Sequence, residues 1–343
     1  YRQFTKSPQV AGMDPNSPVT ESLCVVAITS PDILVVNDAS QDERFADRAP
    51  VAGERHIRFY AGRPLSLDNT SRVGTLCLVD TKPREMDAAE QRLLDEMGSW
   101  VERELRDSVN PADPEEAAEP VSSSSAAPIP VEVLPNYAVA GVSLPLRRVG
   151  SDFCIWREAN GSLDVTVADV MGKGKTAAMS AAMVRSAFVD SDTTVDAAEI
   201  LADVNRFVMH APGVAGTFAT VLHARIDMET GIVDYADAGH GLTLVVRADN
   251  GVERLDSSGF PLGLIPTSTW QLRSTLLQPG DTLVSFTDGF LKLFDGTLDS
   301  LPDVVTLIRT SSGPDDVVKR VVAMARKARV HDDLMILAVT RTD

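Results

Sequence analysis

The residues best suited to chemistry in this 343-residue chain are four aspartates, Asp152, Asp169, Asp288 and Asp332, each beside an apolar run. Asp169 closes an alternating stretch, Val165-Thr166-Val167-Ala168-Asp169, that reads as a β-strand. Gly172 and Gly174 then let the chain turn, and residues 176–188 read as a helix with a small-residue face. Asp152 follows Gly150-Ser151 and precedes the strand-like Phe153-Cys154-Ile155-Trp156. Asp288 sits in Thr287-Asp288-Gly289 after the run at 282–286, and Asp332 in His331-Asp332-Asp333 before the run at 334–339. Four carboxylates gathered by a fold repel one another unless cations neutralise them. Oxygen-only ligands with no His/Cys cluster suit Mg2+ or Mn2+, not zinc. Two such ions roughly 3.5–4 Å apart can clamp a phosphoryl group and turn a bridging water into a nucleophile.

One competing reading fails on its own terms. Gly174-Lys175-Thr176 imitates the end of a phosphate-binding loop, yet Asp169 stands where that loop needs its first glycine. A carboxylate there would repel phosphate.

The elements that must position these acids come from a chain long enough for two domains. Hydrophobic content of 44% and charged content of 24% are ordinary for a globular protein. A net charge of −17 argues against nucleic acid or anionic membrane as a general partner. No apolar run approaches the ~20 residues that span a bilayer, and no signal peptide is visible. The chain opens at Tyr1 without a methionine, which points to a piece of something longer. Three cysteines, Cys24, Cys77 and Cys154, form no CxxC pair, which fits a reducing cytoplasm with buried thiols.

Residues 1–108 read as one α/β unit. Runs at 24–28 and 33–36 flank a turn and read as strands, with two more at 59–65 and 73–80 and a loop plus short helix over 38–55. Asp87-Ala88-Ala89-Glu90 has capping-box spacing, and Leu93, Leu94, Met97, Val101 and Leu105 then share a helical stripe. The first half of that stripe is expected to pack on the unit's own sheet; the second half is open to pairing with another copy, a homodimer. Val35-Val36-Asn37-Asp38-Ala39, Arg44-Phe45, Arg58-Phe59-Tyr60-Ala61-Gly62, Pro64-Leu65 and the stretch from Gly74 to Asp80 resemble a GAF domain. That resemblance implies a sensor and dimerisation module but names no ligand. Cys24 is expected to be a buried structural thiol rather than a tetrapyrrole or redox site. Residues 109–130, rich in Pro, Ser and Ala, read as a linker.

From 131 to 343 strands and turns alternate with few helices. Gly150-Ser151-Asp152-Phe153, Ala168-Asp169-Val170-Met171-Gly172, Ala238-Gly239-His240, Pro261-Leu262-Gly263, Pro279-Gly280-Asp281, Thr287-Asp288-Gly289 and Asp332-Asp333 resemble, in order, the PPM-type (protein phosphatase 2C-like) phosphatases of the SpoIIE group. The fold class implied is α/β in two domains, a GAF-type sensor followed by a PPM-type α-β-β-α sandwich with metals at one edge. The resemblance makes Asp169 the bridging ligand of two Mn2+ or Mg2+ ions, assisted by the Val170 carbonyl. Asp288 and Asp332 would hold one metal, and Asp152 would lie in or next to the cluster. Water between the metals would attack phosphoserine or phosphothreonine on a STAS-type anti-anti-sigma protein, under control of the GAF domain. His240 is expected to support the site structurally. Two departures, Ile155 and Lys292, each stand where the family shows an acid. They motivate a second reading, a pseudophosphatase that docks a signalling partner without hydrolysis.

Overall fold

The computed structural model describes residues 22–67, 72–109, 129–145, 150–172, 174–211, 214, 216–257, 259–328 and 333–343. Two compact units divide the chain, Tyr1–Ala112 and Asp113–Asp343.

In the first unit, α1 (Cys24–Ala27), β1 (Leu34–Val36), α2 (Ala49–Ala52), β2 (Phe59–Ser66), β3 (Arg72–Asp80) and α3 (Ala88–Val109) follow in chain order. The strands form one antiparallel sheet, β1-β2-β3. Alternation along β2 sorts its two faces. Phe59 and Ala61 meet Met86 and Leu94, whereas Tyr60 joins Val36, Phe45 and Ile57. The expected capping box forms: Asp87 Oδ1 accepts from the N–H groups of Ala89 and Glu90 at 2.8 Å, and Glu90 Oε2 accepts from Asp87 N–H at 3.0 Å. Leu94 is buried against the sheet, as expected for the first half of the stripe. The later turns of α3 are tied to β2 by charge, because Arg63 donates to Asp95, Ser99 and Glu102. Gly98 makes room for that arginine, since a Cβ there would overlap the Arg63 side chain.

The run at 24–28 is a helical turn, not the expected strand: Ile28 N–H donates to Cys24 O at 3.0 Å. Leu23 and Ala27, four positions apart, bury themselves together. A run this short carries no period that separates the two possibilities.

The second unit holds β4 (Ile129–Leu134), β5 (Tyr137–Leu144), β6 (Asp152–Ala159), β7 (Ser162–Val170), β8 (Ala219–Asp227), β9 (Ile232–Ala238), β10 (Thr243–Val246), β11 (Val252–Arg254), β12 (Arg273–Leu276), β13 (Thr282–Phe286) and β14 (Leu334–Arg341). They make two antiparallel sheets, of order β11-β10-β13-β14-β5-β4 and β12-β9-β8-β7-β6. Tyr137, Val139, Val165, Val167, Leu222 and Leu337 belong to the core that fills the space between them. Each outer face is covered by helices, as a half-apolar sheet requires. On the five-stranded sheet lie α4 (Gly174–Val189) and α5 (Ala197–His210), packed through Val184, Phe188, Leu201 and Val204. After the short α6 (Asp288–Leu291), α7 (Leu301–Arg309) and α8 (Pro314–Lys327) cover the six-stranded sheet through Val304, Ile308, Val317 and Val321.

Helices are therefore a larger share of this unit than expected. Their starts carry explicit signals: Asp196 caps α5 by accepting from Ala198 and Glu199 N–H at 2.9 Å, and a proline sits in the first turn of both α7 and α8. Most of the segment expected to be a linker, residues 110–128, lies outside the described residues, and β4 begins at Ile129. Among the described residues no helix is long and apolar enough to cross a membrane.

Candidate metal centre

The period of two along a strand decides which way the acids point. On β7, Val165 and Val167 face the gap between the sheets, while Ala168 and Val170 face α4 and α5. Asp169 continues the first set. On β6, Cys154 faces the gap and Phe153 the helices, so Asp152 also looks into the gap. Antiparallel register sets Asp152 directly opposite Asp169. Asp152 is buried and Asp169 half-buried, at the edge where β6 begins and β7 ends. The chain leaves that edge through Gly172, whose φ of 110° is open to glycine and strained for other residues.

The six-stranded sheet brings its acids to the same edge. Thr287 N–H donates to Met335 O at 3.1 Å, and Met335 N–H returns a bond to Thr287 Oγ1 at 3.1 Å, locking the end of β13 to the start of β14. Asp288 and Gly289 follow immediately, and the Asp333 backbone passes so close that a Cβ on Gly289 would overlap it. Met335, Leu337 and Val339 face the gap, and Asp333 continues that alternation. The two sheets are stitched here. Asp333 Oδ2 accepts from Ser151 N–H at 2.9 Å, and Ser143 Oγ donates to the Asp152 carbonyl at 3.2 Å. Asp333 is thus a second acid of the Asp332-Asp333 pair with a position of its own, one that motif matching overlooked.

Asp152 and Asp169 are the two expected site residues brought face to face. Asp288 reaches the edge from the other sheet with its side chain 42% exposed, and Lys292 Nζ lies 3.8 Å from its Oδ2. Val170 lies between Asp169 and the turn, its side chain under the helices. Asp332 falls outside the described residues. Among the described residues no three His, Cys, Asp or Glu side chains come close enough to hold a metal by themselves. The chemistry of the donor set nevertheless fits a hard divalent cation. Like charges directly opposite on one face of an antiparallel pair destabilise it, so the Asp152–Asp169 pair calls for positive charge, and every donor is oxygen.

Of the two departures, Ile155 packs among the residues under α4 and α5, on the face of β6 opposite Asp152. An acid at 155 would not point into the gap. Lys292 is different, because its ammonium group lies beside Asp288.

Around the edge, buried polar groups fix the loops. Asp237 accepts from His240 N–H at 2.7 Å, Gly241 N–H at 2.9 Å and Ser257 Oγ at 2.7 Å. Burial pushes its carboxyl up from the usual range, against the pull of these donors. His240 Nε2 lies 3.0 Å from Ser285 Oγ, which contacts Thr243 Oγ1 at 2.8 Å, so His240 ties the β9–β10 connection to β13.

A sandwich of two antiparallel sheets between helical layers, with paired acids at one edge, defines a class. The family model of stage II sporulation protein E, SpoIIE, matches residues 159–342, more than half of the chain, and a GAF domain model matches residues 4–105. The chain belongs to the SpoIIE family and carries a GAF domain, and its architecture is GAF plus protein phosphatase 2C-like. Phosphoserine phosphatase RsbU of Bacillus subtilis is 27% identical over 213 residues, which is 59% of this chain and 63% of that protein. Protein IcfG of Synechocystis sp. is 26% identical over 217 residues, 55% of this chain and 34% of that protein. The chain thus spans less than two thirds of the length of either relative. Two solved structures share the fold. RsbX in complex with magnesium has a TM-score of 0.51 at 16% identity, covering 61% of this chain and 98% of its own. The SiaA-PP2C domain of Pseudomonas aeruginosa has 0.50 at 21%, covering 60% and 86%.

Proposed function

We propose that the second unit is a metal-dependent protein serine/threonine phosphatase whose substrate is phosphoserine or phosphothreonine on a regulatory protein. The observation that carries this reading is the Asp152–Asp169 pair, held face to face by strand register where Asp288 and Asp333 arrive from the other sheet. Asp169 would bridge two Mn2+ or Mg2+ ions with the Val170 carbonyl beside it, Asp288 and Asp332 would complete one site, and Asp152 would lie in or next to the cluster. Bound there, the ions supply positive charge to phosphoryl oxygens and acidify water. The chain's own part is to fix the acids. The ladder holds Asp152 and Asp169, the Thr287–Met335 bonds hold the base of Asp288, and the Ser151–Asp333 bond keeps the two sheets in step.

RsbU bears the name phosphoserine phosphatase, which supports phosphoserine as the group removed. The substrate in this reading is a phosphorylated STAS-type anti-anti-sigma protein, in the cytoplasm, within sigma-factor regulation. The GAF domain would regulate turnover by biasing α4, which starts four residues after Val170, and α3 would serve a homodimer. Turnover that is the same with and without residues 1–108 would contradict the regulatory part.

A second reading, a docking module without hydrolysis, is favoured by Lys292, whose ammonium group partly neutralises Asp288. Phosphate release from a phosphoserine peptide separates the two. The phosphatase releases phosphate with Mn2+ and stops with EDTA. A docking module binds phosphoprotein and releases none.

A further inference from the structure

Two thiols separated by 53 positions meet in the first unit, with Cys24 Sγ 3.1 Å from Cys77 Sγ. Cys24 opens α1, and Cys77 lies within β3 opposite Gly62. Both residues are half-buried, and both pack against the cluster containing Leu23, Val36 and Tyr60. The buried Tyr60 hydroxyl lies beside both sulfurs without a hydrogen bond of normal geometry. Gly62 leaves the room it occupies, since a Cβ there would overlap the Tyr60 ring and hydroxyl.

The pair is chemically unequal. The hydrogen bond from Cys77 holds the Cys24 thiol down at about 6, against the opposing effect of burial, while Cys77 is raised by the same contact. Cys154 offers an internal contrast. It lies in the core between the two sheets of the second unit, and burial pushes it up to about 12.

We propose that Cys24 and Cys77 are an oxidisable pair, in which Cys24 reacts with hydrogen peroxide and Cys77 resolves the product as a disulfide within the chain. The Cys24 thiolate attacks one peroxide oxygen. The O–O bond breaks, leaving a sulfenic acid and hydroxide. Hydroxide takes the Cys77 proton to form water, and the Cys77 thiolate attacks the Cys24 sulfur. The S–S bond forms as the S–O bond breaks and hydroxide leaves. Both sulfurs lose one electron, and the two peroxide oxygens gain them. Closing the bond takes about 1 Å of approach, to a sulfur separation of about 2.0 Å, and α1 is a single four-residue turn. The inference concerns the first unit alone and stands apart from the phosphatase reading.

The test is thiol counting on the full chain. Treated with a few-fold excess of hydrogen peroxide, quenched and then denatured, the protein is expected to fall from three free thiols to one, Cys154. Peptide mapping should find Cys24 joined to Cys77 within one chain, with a mass lower by two hydrogens and restored by dithiothreitol. In Cys77→Ser the reaction should stop at a Cys24 sulfenic acid that dimedone captures. Three surviving thiols, a linkage between chains, or over-oxidation of wild-type Cys24 with Cys77 still free would each overturn the proposal. If Cys77→Ser fails to fold, the wild-type count and map decide alone.

Discussion

The two layers of the sandwich deliver acids to one edge by different means. On the five-stranded side, Asp152 and Asp169 are neighbours in a continuous ladder, with register fixing them over eight paired positions of β6 and β7. On the six-stranded side, Asp288 sits just past the end of β13 in a four-residue helix, held by the Thr287–Met335 exchange and by the close pass of Gly289 over Asp333. One half of the site is preformed by sheet geometry. The other depends on a turn, and it is the half where a lysine lies beside an acid. The lesson is that the two halves should fail differently when disturbed.

The largest effect should come from the preformed half. Asp169→Asn keeps the ladder and shape but removes the charge that faces Asp152, and phosphate release should fall by about 10³-fold, the several kcal/mol a metal contributes. Circular dichroism should stay native.

The five-stranded layer also carries a pH-sensitive point. His223 on β8 is fully buried, stacked on Phe188 of α4 with 5.6 Å between ring centroids, and its Nδ1 lies 2.8 Å from Thr166 Oγ1. Among the described residues its Nε2 finds no hydrogen-bond partner, and burial lowers its pKa from 6.5 to about 4. The folded state therefore keeps the ring neutral. Between those values the unfolded chain binds more protons, so this contribution is complete above 6.5 and is lost as pH falls toward 4. The loss should approach about 3 kcal/mol by linkage. Urea unfolding at several pH values should show a shallower acid loss in His223→Phe than in wild type. Parallel curves would contradict it.

Gly289→Ala probes the turn-built half. The new methyl group must displace the Asp333 backbone, at a cost of about 1–3 kcal/mol for overpacking. Turnover should fall while the Asp152–Asp169 ladder survives, which amide exchange on β6 and β7 would show.

The smallest effect should follow Lys292→Ala. Its ion pair with Asp288 is partly exposed and worth ~0–1 kcal/mol, so Mn2+ should bind up to about fivefold more tightly. Weaker binding would mean that Lys292 supports the site.

Much of this arrangement is legible in one sequence because strands announce themselves by alternation. Val165, Val167 and Asp169 share a face, so Asp169 could be placed at a strand end from residue type alone, with Asp152 just ahead of a second strand. What was hidden depends on partners distant in sequence. The 24–28 run has no period of its own, and its helical turn is set by Leu23 and Ala27 finding one cluster. The helices α5, α7 and α8 carry their start signals at Asp196, Pro302 and Pro314, apart from the acid-bearing strands that carry the motifs. Asp333 was overshadowed by its neighbour in the motif, and only the fold brings it 182 positions back to Ser151. The contact between Cys24 and Cys77 likewise belongs to tertiary structure.

The central claim is that acids from both sheets make one metal site, and Mn2+ titration by calorimetry tests it most directly, run on wild type and Asp169→Asn with phosphate release measured on the same samples. The account predicts saturable binding to wild type, weakened at least tenfold in the variant together with loss of turnover. Equal binding and equal turnover in a folded Asp169→Asn protein would contradict it.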